Sequence, residues 1–323
     1  MRDIYKPKSD RPFEYPEAIK LMEQIQNTYW RHTELSFASD RQEVDSMPYH
    51  LKEGVLRNML AISTIEVAVK TFWQQLGNHF PRLEWDMLGV VAGESECRHY
   101  LSYSHLLGLL GLEKRFSEIN EVSAIKGRFE YLNKYLKLSP NNSDPRKYLI
   151  KLILFSLLME HTGLFGNFVP LMYYFKKWGK MKDIRNVVAW SALDEATHFQ
   201  IGATIINILR QEHPEYFDEE LDDLVRKACV KSIKYETSIL DWVWENGELE
   251  GLTKDNLLSF MKNQVNQSLK QMGFESCFEN IGDLKPTDFF FEEVYADSNV
   301  DFFSSRPTDY TVGDVSITKD DLF

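Results

Sequence analysis

A chain of 323 residues can form one large domain or two, and length alone does not choose between them. With 37 Lys+Arg against 49 Asp+Glu the net charge is −12, which speaks against a nucleic-acid surface and for a soluble protein. The three cysteines, Cys97, Cys229 and Cys277, show no paired or zinc-like spacing and suit a reducing cytosol. The first residues, Met-Arg-Asp-Ile-Tyr-Lys-Pro, lack the apolar stretch of a signal peptide. The most apolar run, Leu152 to Met159, is bounded by Lys151 and Glu160 and is too short to span a bilayer. A cytoplasmic protein that binds neither membrane nor nucleic acid is expected.

In chain order, residues 1–17 carry Pro7, Pro12 and Pro16 and predict an extended arm. Ala18 to Glu34 reads as helix, and a polar stretch with Pro48 follows. His50 to Leu76 reads as a helix with Leu51, Val55, Met59, Ile62, Val69 and Trp73 on one stripe. Glu66 lies inside that stripe, and a carboxylate on an apolar face must be paired, protonated or bound to metal. Helices are predicted next over Leu83 to Leu112, Val122 to Leu136, Lys147 to Phe175, Asn186 to Leu209, Glu215 to Asn246 and Thr253 to Met272. The helix over Lys147 to Phe175 is apolar nearly all round, as at the centre of a bundle, with Pro170 as a point of kinking. From about Asp283 the pattern dissolves into an acidic, aromatic tail. The expected organisation is an arm over 1–17, an all-α bundle over 18–282 and a tail over 283–323.

Two Glu-x-x-His pairs stand out, Glu96/His99 and Glu195/His198. Residues three apart share a helix face, so each pair points one way. Glu66 and Glu96 are thirty residues apart, about 45 Å along a continuous helix. They meet only if the chain folds back midway, where Pro81 stands. Glu160 and Glu195 are thirty-five apart, with a Trp178-Gly179-Lys180 break near their midpoint. Each half thus reads as a helical hairpin bringing one Glu beside one Glu-x-x-His. One such pair alone is common and means little; two, each with its embedded Glu and its break, point to a single site. The set is similar to that of ferritin-like dinuclear carboxylate proteins. Four carboxylates balance two divalent cations, two imidazoles give each a nitrogen, and the hard oxygen-rich donors favour iron or manganese. Tyr103 lies one turn beyond His99 on the same face, and Asp194 is placed to engage the outer nitrogen of a ligating His. Cys97 is expected to point away from the site.

At these residues the chain resembles the small, radical-generating (beta) subunit of class I ribonucleotide reductase. The likeness is carried by Trp30-Arg, Glu66, Glu96-x-x-His99-x-x-x-Tyr103, Glu160, Asp194-Glu195-x-x-His198 and Tyr310-Thr-Val-Gly313. The resemblance implies a ferritin-like bundle with Glu66, Glu96, His99, Glu160, Glu195 and His198 as ligands of two Mn, two Fe or a mixed Mn/Fe pair. It implies Tyr103 as the radical tyrosine and Trp30, Asp194 and His99 as the start of an electron-transfer chain, with Tyr310 its link to the partner. The last residues, Asp314 to Phe323, would dock on the large catalytic subunit, where ribonucleotides are reduced. A homodimer is implied, and a flavoprotein activase is a further partner the resemblance allows. Three positions depart from many members: Glu66 stands where Asp is common, Ser191 joins Leu164 and Phe168 around Tyr103, and Lys70 lies one turn beyond Glu66. Ser191 and Lys70 lead to the expectation of a metal-centred cofactor, with dimanganese as one form of it and Lys70 drawing in an anionic oxidant such as superoxide. A ferritin-like oxygenase or ligand-binding oxidase is the alternative, and a non-catalytic scaffold a more distant one.

Overall fold

A computed structural model describes residues 2–69, 71–136 and 144–295. The longer helices are α1 (Pro16–Asn27), α2 (Ala38–Asp45), α3 (Tyr49–Val69), α4 (Leu83–Leu109) and α5 (Ser123–Leu136). They are followed by α6 (Pro145–Trp178), α7 (Lys182–Glu212), α8 (Glu219–Val243) and α9 (Lys254–Gln271). Among the described residues there is no strand, only isolated backbone bridges such as Lys8 to Arg82. The architecture is an all-α bundle.

Both chain reversals fall where the spacing of the carboxylates requires them. α3 stops at Val69, the chain turns through Trp73–Gln75 and Leu76–His79, and α4 starts just past Pro81. The helix predicted to run unbroken to Leu76 therefore ends earlier. α6 ends at Gly179, whose φ of +65° takes the left-handed conformation that stops a helix, and its N–H bonds to Phe175 O at 2.7 Å. Side chains cap the starts of later helices: Asp144 on α6, Asp218 on α8, and Thr253 with Asn256 in a reciprocal box on α9.

α6 is the central helix. Its apolar surface is long enough to cross a membrane, yet 83% of its most apolar window is buried within the bundle, so it is a core helix. It runs on through Pro170. Its middle, Phe155–Leu164, is a π-helix, a widened stretch that periodicity did not reveal, and Glu160 sits on it.

Three further segments differ from the pattern-based reading. α2 forms within the polar stretch before Pro48, and its acids serve the start of α7: Asp40 Oδ2 accepts from Ile184 N at 2.7 Å and Glu43 Oε2 from Met181 N at 2.6 Å. The arm before α1 is extended but anchored. Ile4 and Tyr15 are buried, and Ile4 N and the Tyr15 hydroxyl both donate to Glu212 at the end of α7. At the other end, packing continues past the boundary near 283, with Phe289, Phe290 and Val294 buried against the bundle. Lys70, Tyr310 and the docking segment 314–323 lie outside the described residues.

Candidate metal centre

The hairpin α3–α4 brings in Glu66, Glu96 and His99, and the hairpin α6–α7 brings in Glu160, Glu195 and His198. All six side chains are at most 1% exposed. Their donor atoms form two overlapping sets: Glu66, Glu96, His99 and Glu195 in one, Glu96, Glu160, Glu195 and His198 in the other, each set within 4.8 Å. Glu96 and Glu195 belong to both, and so sit between the two.

Both imidazoles present Nδ1 to the carboxylates. His99 Nδ1 lies 2.9 Å from Glu195 Oε1 and 3.8 Å from Glu66 Oε2. His198 Nδ1 lies 3.0 Å from Glu195 Oε2, 3.2 Å from Glu96 Oε1 and 3.5 Å from Glu160 Oε2. The outer nitrogens fix the tautomers. His99 Nε2 is 3.1 Å from Asp194 Oδ2, an acceptor, so Nε2 carries the proton. His198 Nε2 is 2.7 Å from Ser95 Oγ, whose single proton goes to Ala92 O at 2.8 Å; the hydroxyl must therefore accept from His198 Nε2. Each Nδ1 is left to face the carboxylates with its lone pair.

That arrangement is frustrated without cations. Glu66 Oε1 and Oε2, Glu96 Oε1 and Oε2, Glu160 Oε2, Glu195 Oε1 and His99 Nδ1 are all buried without a hydrogen bond of proper geometry. Clustered, desolvated acceptors are costly unless something positive lies among them. Electrostatics says the same. Burial, with the charges of neighbouring glutamates, pushes Glu66, Glu96 and Glu160 above the usual carboxylate range. Burial also opposes charge on Glu195, but the hydrogen bond from Glu160 and the charges of His198 and His99 outweigh it and hold its carboxyl well below that range. For His99 and His198 burial acts against protonation, yet the facing carboxylates, Glu195 foremost, raise both well above an ordinary imidazole. The donor set, four carboxylates and two imidazoles, fits two hard divalent metals.

Around this core the structure places side chains that spacing did not reveal. Trp73 Nε1 donates to Glu160 Oε1 at 3.1 Å, and its ring stands 5.9 Å from that of His198. Ser95 holds His198, as above. Arg98 Nη1 reaches Asp194 Oδ2 at 3.4 Å. Trp73 was visible only as an apolar member of the Glu66 stripe, and nothing in the local sequence marks Ser95.

Trp30, 4% exposed, donates from Nε1 to Asp194 Oδ2 at 2.9 Å and stacks on the His99 ring with centroids 5.8 Å apart. Trp30, Asp194 and His99 thus form a continuous chain to the cluster. Tyr103 is buried beside Phe168, their rings 4° from parallel at 6.5 Å, with Leu164 and Ser191 also fully buried. Burial and the Glu66 charge push the Tyr103 phenol well above its ordinary value; Ser191 is near enough to act the other way, although neither hydroxyl makes a hydrogen bond of normal geometry. Cys97 is exposed, away from the cluster.

Comparison with known proteins agrees with this architecture. Residues 10–286 match the family described as ribonucleotide reductase, small chain. The chain is 25% identical over 315 residues to a probable ribonucleoside-diphosphate reductase small subunit of Invertebrate iridescent virus 3, covering 93% of this chain and 83% of that one. It is 21% identical to the ribonucleoside-diphosphate reductase subunit beta of Treponema pallidum, covering 95% and 88%. Among solved structures, the ribonucleotide reductase R2 subunit from Clostridium botulinum superposes with a TM-score of 0.80 at 18% identity, over 87% of this chain and 89% of that one. An R2-like ligand-binding oxidase with a reconstituted Mn/Fe cofactor superposes at 0.68 and 20% identity, over 80% and 93%. At these identities the structural likenesses bear on the fold, whereas the family match spans most of the sequence. The chain belongs to the ribonucleotide reductase small-chain family, the beta subunits of the class I oxidoreductase.

Proposed function

We propose that Glu66, Glu96, His99, Glu160, Glu195 and His198 hold two cations, with Glu96 and Glu195 shared, and that this centre supplies the oxidising equivalent for ribonucleotide reduction on a large subunit. The observation carrying the reading is the pair of overlapping four-residue donor sets, sealed from solvent and rich in unsatisfied acceptors. When bound, redox-active cations supply the means to reduce an oxygen-derived oxidant and keep one oxidising equivalent. The protein's own residues do the rest. Asp194 and Ser95 keep each Nδ1 free to donate, Trp73 holds Glu160, and apolar α6 excludes water from the cluster.

Members of this family work with a large subunit and pair as homodimers. The equivalent leaves through His99, Asp194 and Trp30, and Tyr310 carries it onward, with 314–323 as the docking segment. The cofactor is two Mn, with two Fe or Mn/Fe as the other loadings, and the oxidising equivalent stays on the metals while Tyr103 remains reduced. The buried Ser191 hydroxyl beside Tyr103 supports this, because a stable phenoxyl favours an apolar pocket. Lys70 draws in an anionic oxidant such as superoxide, delivered with a flavoprotein activase.

Two measurements test the proposal. Glu195→Ala removes a member of both donor sets, so native-source metal analysis that finds two metals per chain in the parent should find neither in the variant; full loading of the variant would overturn the ligand assignment. In electron paramagnetic resonance, a sharp tyrosyl signal after iron and oxygen loading, with full activity and no manganese requirement, would sink the metal-centred part alone. The likeness to ligand-binding oxidases supports a second reading, and deleting 309–323 separates them. A reductase subunit loses activity with its partner while keeping its metals, whereas a self-contained oxidase keeps both.

A further inference from the structure

We propose that Arg98 is a positioning residue for Trp30: its guanidinium clamps the indole to the Asp194 carboxylate and closes the bond between them to water. The consequence of the clamp rests on the electron-transfer role proposed for Trp30, Asp194 and His99; the clamp itself rests on geometry. Trp30 lies between α1, which ends at Asn27, and the short turn His32–Glu34, outside any helix. Its orientation is therefore set by the side chains packed around it. The His99 ring stacks on the indole at 5.8 Å and the Trp190 ring leans on it at 5.5 Å, centroid to centroid. Arg98, on α4, supplies the third hold.

The Arg98 Cζ stands 5.6 Å from the centre of the Trp30 ring and 4.7 Å from that of Tyr29. Its Nη1 donates to Trp30 O at 3.5 Å and to Asp194 Oδ2 at 3.4 Å. One nitrogen thus reaches the Trp30 backbone and the same carboxylate oxygen that accepts from Trp30 Nε1 at 2.9 Å. Those two bonds are long, as a shared donor's are. The short one, Nε to Glu94 Oε2 at 2.9 Å, anchors the guanidinium one turn back on α4. Burial sets this apart from a surface ion pair. Arg98 is 7% exposed, and its Nη2 is buried without a hydrogen bond of proper geometry. A desolvated cation with an idle donor is costly, and what offsets the cost here is contact with Trp30, Tyr29 and Asp194. Arginine suits the task, because its planar guanidinium lies against aromatic faces while donating to oxygens; a lysine ammonium has the charge without the plane.

The test uses the full chain, metal-free and carrying indole-¹⁵N tryptophan, with the Trp30 N–H signal identified by its loss in Trp30→Phe. In Arg98→Met that signal should move upfield and exchange with solvent deuterium about tenfold faster, while the other indole signals hold still. Arg98→Lys, which restores the charge alone, should recover part of both changes. An unmoved Trp30 signal in Arg98→Met would overturn the clamp. So would comparable shifts across all the indoles with no recovery in Arg98→Lys, the mark of a general loosening. Should Arg98→Met fail to fold, Glu94→Ala removes only the anchor, at a side chain 47% exposed, and should move the same signal the same way; an unmoved signal there counts equally against the clamp. The electron-transfer role is judged separately. Full activity of Trp30→Phe with the large subunit would sink that role and leave the measurements on the clamp standing.

Discussion

Trp73→Phe isolates a single hydrogen bond at the centre of the proposal. The change keeps an aromatic ring in the same buried slot, edge-on to Phe72 and Phe155, and deletes the indole N–H that reaches Glu160 Oε1 at 3.1 Å. The other oxygen, Glu160 Oε2, has no hydrogen bond of proper geometry to take over. A hydrogen bond to a charged acceptor contributes about 1.5–3 kcal/mol. At about 1.4 kcal/mol per tenfold this is a loss of roughly 10- to 140-fold in metal affinity, in line with the ~10–100-fold typical of residues that hold metal ligands. The assay is calorimetric titration of Mn(II) into metal-free protein. Trp85→Phe is the matched control, since Trp85 is equally buried and its Nε1 has no hydrogen-bond partner to lose. Equal Kd for parent, Trp73→Phe and Trp85→Phe would refute the role given to Trp73.

Two further outcomes follow from buried charge. In the metal-free protein Glu66, Glu96, Glu160, His99 and His198 all have raised pKa values, so the folded state binds more protons than the unfolded one. Their contribution is fully present below the unfolded values and is lost as pH rises through the raised folded ones; within the cluster lowered Glu195 runs the other way. Metal displaces those protons, so the gap in Tm between metal-loaded and metal-free protein should widen from about pH 6 to about pH 8, with a constant or shrinking gap as the contrary result. Away from the cluster, Arg128 is buried and donates to Glu236 at 3.5 Å, Thr64 Oγ1 at 2.9 Å and Ala61 O, joining α5, α8 and α3. Arg128→Met strands the Glu236 carboxylate and should cost about 3–5 kcal/mol in denaturant unfolding, while adding Glu236→Leu should recover part of it.

The sequence made the hairpins legible because helix rise is fixed: two carboxylates thirty residues apart can meet only around a break, and Pro81 and Gly179 stand where the breaks must be. The six converging side chains follow from that arithmetic plus the i, i+3 rule. What stayed hidden depends on partners distant in sequence. Trp73 looks like any apolar stripe residue until a helix 87 residues away offers it a carboxylate. Ser95 differs from a surface serine only because His198 arrives beside it. α2 has little apolar face of its own; its acids cap the N–H groups at the start of α7 that have no partner within that helix. The π-helix around Glu160 was invisible for a related reason. A continuous apolar run carries no phase, so an extra residue per turn leaves no mark on it.

The two halves of the cluster are built differently, and the difference gives the site a direction. His99 is backed by a carboxylate, Asp194, which also gathers Trp30 Nε1 at 2.9 Å and Arg98 Nη1 at 3.4 Å. His198 is backed by a neutral hydroxyl already committed to Ala92 O. A carboxylate partner makes an imidazole the stronger donor, and a hydroxyl does so far less. On the proposed ligand assignment, a cation held on the His99 side would sit in the more electron-rich half, the half that would favour a higher oxidation state. That half is also the one continuing through Asp194 to an indole stacked on the ligand ring. On the proposed reading, the side best able to hold an oxidising equivalent is the side that can pass it on, while the His198 side, braced by Ser95 and Trp73, keeps its geometry fixed.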